Sequence, residues 1–186
     1  PWVHNVRTTD AVTAIDDEDC MRLLRLFNQP EGRDCLHAAG LTTPEAEGLS
    51  LLGISCIGNL LAAIKTAKYF ELGSRDVVLT VWTDSVELYR SRLDELQKER
   101  GSYSPLQAAA DLAGPLLHQG IDYFKELGYH DRKAIHNLKY YTWVEQQGKN
   151  VEELAAQWDP EYWRALFEDE VEEFDRLIAA FNSMAA

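Results

Sequence analysis

Cysteine is scarce in this chain, and what little there is has no pattern. Cys20, Cys35 and Cys56 are the only three in 186 residues, an odd set without C-x-x-C or Cys/His ligand spacing. A disulfide framework and a structural zinc site are therefore not expected, and a reduced, cytoplasmic setting is. Long apolar runs are also missing: nothing approaches the roughly 18 residues of a membrane span, and the N-terminus lacks a basic region followed by an apolar one. No membrane partner is expected. Positive charge is short as well, with 18 Lys and Arg against 31 Asp and Glu and a net charge of −13. That field repels a phosphate backbone, so nucleic acid is not an expected partner.

The motifs of common chemistries are absent too. His4, His37, His118, His130 and His136 show no HExxH or other short ligand spacing, so no metal site is expected. There is no G-x-S-x-G elbow, P-loop or G-x-G-x-x-G. The acids of 168–175, EDEVEEFD, lack the alternating oxygen ligands and central glycine of a calcium loop and read as a solvated helix face.

What is present is the balance of an ordinary folded protein: 46% hydrophobic, 26% charged and 10% aromatic residues, with 11 Gly and 6 Pro. The length suffices for one sizeable core plus an appendage but is short for a stand-alone cofactor enzyme. The negative charge is uneven. Residues 101–149 carry five basic and five acidic side chains, whereas 150–186 carry Arg164 and Arg176 against ten acids, a local −8.

Along the chain, AVTAID at 11–16 reads as a short strand, followed by a helix from about Glu18 to Phe27 whose start is charged by Asp16, Asp17, Glu18 and Asp19. Pro30 and Gly32 break that helix, a short one spans Glu31 to Ala39, and Gly40 ends it. Thr43 is the expected cap of the next, with Pro44 at its first position. Leu51 to Leu72 is a mostly buried helix, and Asp76 to Trp82, DVVLTVW, has the length and β-branched content of a strand covered on both faces. Beyond Asp84 the pattern is helical throughout. Apolar stripes run through Val86 to Leu96, then Leu106 to Leu127 with a kink at Pro115, then a helix capped by Asp131 and ended by Gly148. Last comes a sustained face of Trp163, Phe167, Val171, Phe174, Ile178 and Phe181.

Gly53-Ile54-Ser55 opens the buried helix. Ser55 stands in a first turn with free backbone N–H groups, beside a glycine that permits close approach of a ligand. Position alone also fits a plain serine N-cap.

The surrounding string, LGISCIGNLLAAIKTAKYFELGSRDVVLTVWTDSVELYRSRL, resembles the C-terminal part of the catalytic core in the cysteine synthase and cystathionine β-synthase family. These are pyridoxal-phosphate enzymes of the tryptophan-synthase-β fold type. The likeness rests on Gly53 to Ser55, on Ala62 to Lys68, on Val77 to Val81, and on Asp84-Ser85-Val86 followed by Tyr89. Upstream, AVTAIDDEDCMRLLRLF is similar to the family's strand and acidic helix start. The match covers about Ala11 to Leu93, and the tail from 101 looks like the helical extension of a cysteine-synthase-like branch.

The resemblance implies an α/β, helix-dominated chain. It would hold a partial three-layer αβα core of a type II pyridoxal-phosphate fold over 1–100 and a helical extension over 101–186. It implies a role in β-elimination or β-replacement on a small amino acid, with Ser55 bonding the pyridine nitrogen of the cofactor and Gly53 and Cys56 beside it. Cys56 and Ile57 stand where relatives have small residues, which is expected to crowd the ring pocket, and Thr83 replaces a proline. The Schiff-base lysine and the Gly/Thr-rich phosphate loop of such enzymes do not occur here. Lys65 and Lys68 lie about 15 and about 20 Å along the helix from Ser55, beyond reach of the same ring. No catalytic residue is therefore expected in this chain. The cofactor is expected to be completed by an N-terminal half or a separate chain bearing the lysine, in a homo-oligomer, and the uncapped opening PWVHN is read the same way. The rival expectation is a non-catalytic helical interaction module or an inactive homologue.

Overall fold

The structure, a computed structural model, describes residues 4–185. It is helix-dominated, with one small sheet of two strands. The chain divides into two compact units: residues 13–125, and residues 4–12 together with 126–185. Residues 101–125 thus belong to the larger unit and 4–12 to the smaller. No helix among the described residues is long and apolar enough to cross a membrane.

The larger unit is organised around α1, Asp17–Asn28. Asp16 caps it, its carboxylate accepting the Glu18 N–H at 2.8 Å, and three acids fill the positive first turn. Its apolar stripe buries Leu23, Leu24, Leu26 and Phe27 completely, each side chain worth about 1.5–3 kcal/mol of transfer free energy. Against it pack α2 (Pro30–Ala38), α3 (Thr43–Ser50), α4 (Ile54–Tyr69) and α6 (Pro105–Asp111). Helix α5, Arg90–Arg100, adds Leu96 to the core and ends on Gly101, whose φ of 72° suits glycine. Arg25 is buried among these elements, donating to Gly101 O at 2.7 Å and lying 4.8 Å over the Tyr103 ring.

Several boundaries differ from the expected ones. Pro30 opens α2 at its first turn rather than only ending α1, and Thr42, not Thr43, caps α3, its backbone N–H bonded by Glu45 at 2.7 Å. Helix α4 begins three residues later than the apolar pattern does. The expected helix over Leu106–Leu127 stops early: a π-helical turn, Leu112–Leu117, containing Pro115 follows α6, and Phe124–Glu126 is strand β2. It pairs with β1, Ala11–Thr13, in antiparallel register set by Ala14 N–H to Tyr123 O (3.1 Å) and Leu127 N–H to Asp10 O (2.8 Å). These two strands carry the chain from one unit to the other.

The largest correction concerns Asp76–Trp82. It forms no strand: the segment lies on the surface with Val77 89% and Leu79 92% exposed. Its composition favours a strand, but within the described residues no strand lies alongside to complete a ladder.

The smaller unit is built on α7, Tyr129–Tyr140, with α8 (Val151–Ala156) and α9 (Pro160–Arg164). Asp131 supports the start of α7 from its third position, accepting the Gly128 N–H at 3.1 Å. Lys139 is buried and donates to His4 O and, at 3.1 Å, to Gln157 Oε1. The Trp158 ring is covered by cations, Arg7 at 5.3 Å and Lys133 at 4.3 Å. The sustained last helix of the sequence is instead interrupted by a π-helical turn over Ala165–Asp169 before α10, Val171–Ala185. Trp163 is buried, whereas Phe167, Phe174, Ile178 and Phe181 are exposed.

Gly32 is the tightest joint of the larger unit: a Cβ there would lie 1.9 Å from the backbone oxygen of Leu26. Gly32→Ala must therefore push α2 off α1. A loss of about 1–3 kcal/mol in urea unfolding is expected, because a backbone oxygen cannot rotate aside as a side chain can.

Candidate functional site

Helix α4 starts at Gly53, whose backbone is extended (φ −77°, ψ 177°) and whose missing side chain leaves the first turn without a cap of its own. The cap comes from 29 residues further on. Asp84 lays its carboxylate across the turn, Oδ2 accepting the Ser55 N–H at 3.1 Å and Oδ1 accepting the Cys56 N–H at 3.0 Å. A Cβ on Gly53 would sit 2.6 Å from that carboxylate, so glycine is required here for room rather than for backbone freedom.

The two chain segments are locked by a second set of contacts. Leu52 and Ser85 form an antiparallel bridge, with Val86 N–H donating to Leu51 O at 3.1 Å and Gly53 N–H to Asp84 O at 3.3 Å. Cys56 is completely buried, its thiol donating to Asp84 O at 2.9 Å while its sulfur accepts the Asp84 N–H at 3.3 Å. Tyr89 closes the ring of contacts, its hydroxyl donating to Asp84 Oδ2 at 2.6 Å.

These donors fix the charge state. Burial alone would raise the Asp84 carboxyl, but the Tyr89 hydroxyl, the Cys56 thiol and the Ser55 and Cys56 N–H groups outweigh it and hold the acid down at about 2. The same hydrogen bond pushes the Tyr89 phenol upward.

Of the three residues expected beside a cofactor, the fold treats each differently. Ser55 is exposed, with its side chain in hydrogen-bond contact with Tyr89. It is not an N-cap, since Gly53 holds that position and Asp84 takes the two N–H groups. Gly53 is buried and faces Asp84. Cys56 points into the core, so its side chain does not crowd the space outside Ser55 and acts by positioning Asp84. Lys65 and Lys68 are held elsewhere, Lys65 by Ala14 O and Asp122 O at 2.8 Å each, Lys68 by Leu117 O at 3.1 Å and Gln119 O at 2.7 Å. Neither turns toward Ser55.

The site can offer one neutral hydroxyl, on a helix start held rigid from both sides, to a ring nitrogen or similar single acceptor. That donor suits the pyridine end of a cofactor. Its phosphate end has no counterpart here, because the N–H groups of this turn already hold a carboxylate. The residue that sequence reasoning undervalued is Asp84; the signal for it was a helix opening on Gly-Ile-Ser with no acid or amide at the capping position.

The clamp has a measurable pH signature. Because the folded value of Asp84 lies below its ordinary 3.8, its stabilisation is complete above about pH 4 and is lost as pH falls toward 2. Asp84→Asn should cost about 1–2 kcal/mol at pH 7 in urea unfolding and shrink to nothing as the pH approaches 2. No protein-family model matches this chain, and no curated protein or solved structure is significantly similar to it.

Proposed function

We propose that this chain is the C-terminal portion or subunit of a pyridoxal-phosphate-dependent enzyme that carries out β-elimination or β-replacement on a small amino acid. The reading is supported above all by one convergence. Two of the four stretches on which the family resemblance rests, Gly53-Ile54-Ser55 and Asp84-Ser85-Val86 with Tyr89, meet at one place through the Asp84 carboxylate. Residues about 30 positions apart that share a motif in sequence thus share a site in space.

A second feature points the same way. The Val77–Val81 segment is apolar on both faces and largely exposed, and Asn59 Nδ2 donates to it at Val81 O (2.8 Å). A strand meant for the middle of a sheet has this appearance when its neighbours belong to another polypeptide. The three-layer αβα core of the type II fold would be completed there by strands of the other half.

In this reading Ser55 donates to or accepts from the pyridine nitrogen, and as a neutral group it does not enforce protonation of the ring as a carboxylate would. Bound pyridoxal phosphate supplies the electron sink, kept moderate by that neutral contact. Asp84 holds the first turn of α4 still, Cys56 holds Asp84, and Gly53 leaves the room in which they meet. The lysine, the phosphate cradle and the groups that grip the substrate carboxylate come from the N-terminal half or a separate chain.

The other reading is a helical interaction module, and α10 favours it. Phe174, Ile178 and Phe181 form an exposed apolar face on a strongly acidic segment.

Mixing the chain with a polypeptide that carries the lysine and phosphate loop separates the two. The proposal expects uptake of pyridoxal phosphate with the visible absorption of bound cofactor. Ser55→Ala should then lower turnover while leaving the unfolding midpoint of the chain unchanged. Leu79→Pro should leave the isolated chain's stability within about 0.5 kcal/mol of the parent, as for a surface change, yet block assembly. Assembly without cofactor uptake, lost when 150–186 is deleted, would overturn the enzyme reading in favour of the module.

A further inference from the structure

A cleft of the 13–125 unit lies away from Ser55, at the far end of α4. It has a volume of about 530 Å³, within the range of small-molecule sites. Asp16 and Asp19 from the start of α1, Arg22 one turn on, Lys65 of α4, and His118 and Gln119 after the π-helical turn line it. Lys65 is ten residues beyond Ser55, about 15 Å along the helix axis, so the two places are separate.

The polar groups of this cleft are only partly matched. Lys65 is buried, 4% exposed, and has no carboxylate at ion-pair distance among the described residues; its ammonium donates to Ala14 O and Asp122 O. Arg22 gives Nε to Asp111 at 2.7 Å and Nη2 to Ala110 O at 3.1 Å, but its Nη1 only approaches Asp19, at 3.6 Å. Asp19 has no closer partner, and burial raises its carboxyl despite the nearby Arg22. Gln119 Oε1 is buried with no donor in reach, closed off from the cleft itself.

A simple anion would face the carboxylates of Asp16, Asp19 and Asp122. A simple organic cation would face Lys65 and Arg22. Among the described residues no three His, Cys, Asp or Glu side chains gather to hold a metal ion. A ligand that carries both charges a short distance apart meets all of these groups at once.

We propose that this cleft binds a free α-amino acid as its zwitterion. Lys65 and Arg22 take the carboxylate, and Asp19 takes the ammonium. The site is independent of the role of Ser55 and needs no cofactor.

Calorimetric titration of the whole chain, without pyridoxal phosphate, tests it with L-serine, acetate and ethylamine as probes. L-serine should bind saturably, with acetate and ethylamine each weaker by about tenfold or more, since each satisfies one half of the site. Asp19→Asn and Asp19→Ala, which give up the 3.6 Å approach to Arg22 Nη1 but leave Arg22 on Asp111 and Lys65 on Ala14 O and Asp122 O, should each weaken L-serine by about tenfold with the helical circular dichroism unchanged. Absence of saturable L-serine binding, or acetate or ethylamine binding as tightly, overturns the proposal. So does unchanged L-serine affinity in both variants.

Discussion

The Asp84 carboxylate does at the start of α4 what no residue of that helix can do. A helix that opens on Gly53-Ile54-Ser55 leaves its first N–H groups unpaired at the positive end of the helix dipole, and Asp84 answers both features with a charge and two acceptors. Hydrogen bonds to an ionised acceptor are roughly twice as strong as neutral ones, and here the Tyr89 hydroxyl adds a third. The Cys56 thiol and the Leu52–Ser85 bridge fix the backbone from which the carboxylate reaches. Everything proposed for Ser55 depends on this clamp, because an exposed hydroxyl is a useful positioning group only if the turn beneath it is still.

The same helix shows how one element can serve two places. Its first turn is held by Asp84, and its fourth carries Lys65, an ammonium that closes the chain around Ala14 and Asp122 while facing a polar cleft. Between them Ile57 and Leu61 anchor α4 in the core against α1. The apolar face sets the helix in place, and the two ends are then free for polar work. Elsewhere the chain leaves strand-like and helical apolar surface open, at Val77–Val81 and along α10.

Much of this was legible in the sequence where the cause is local. Asp16 before an acidic first turn announced α1. Gly101 and Gly148, both at positive φ, ended their helices as glycines do. What escaped was non-local or cooperative. The cap of α4 comes from Asp84, which no window around Gly53 contains. The strand composition of 76–82 states a preference that only a partner strand can satisfy. The break after α9 has neither glycine nor proline within Ala165–Asp169 to mark it, and the apolar period runs through it undisturbed. At the site, the resemblance brought Ser55, Gly53 and Cys56 forward together, but only side-chain direction separates the exposed Ser55 from the inward Cys56.

The clamp at Asp84 is most directly tested by following its carboxyl carbon by NMR as the intact chain is titrated with acid. A midpoint at about 2, with the Ser55 and Cys56 amide resonances moving in step, is the predicted result. A midpoint near 3.8, or amides that ignore the titration, would contradict the account.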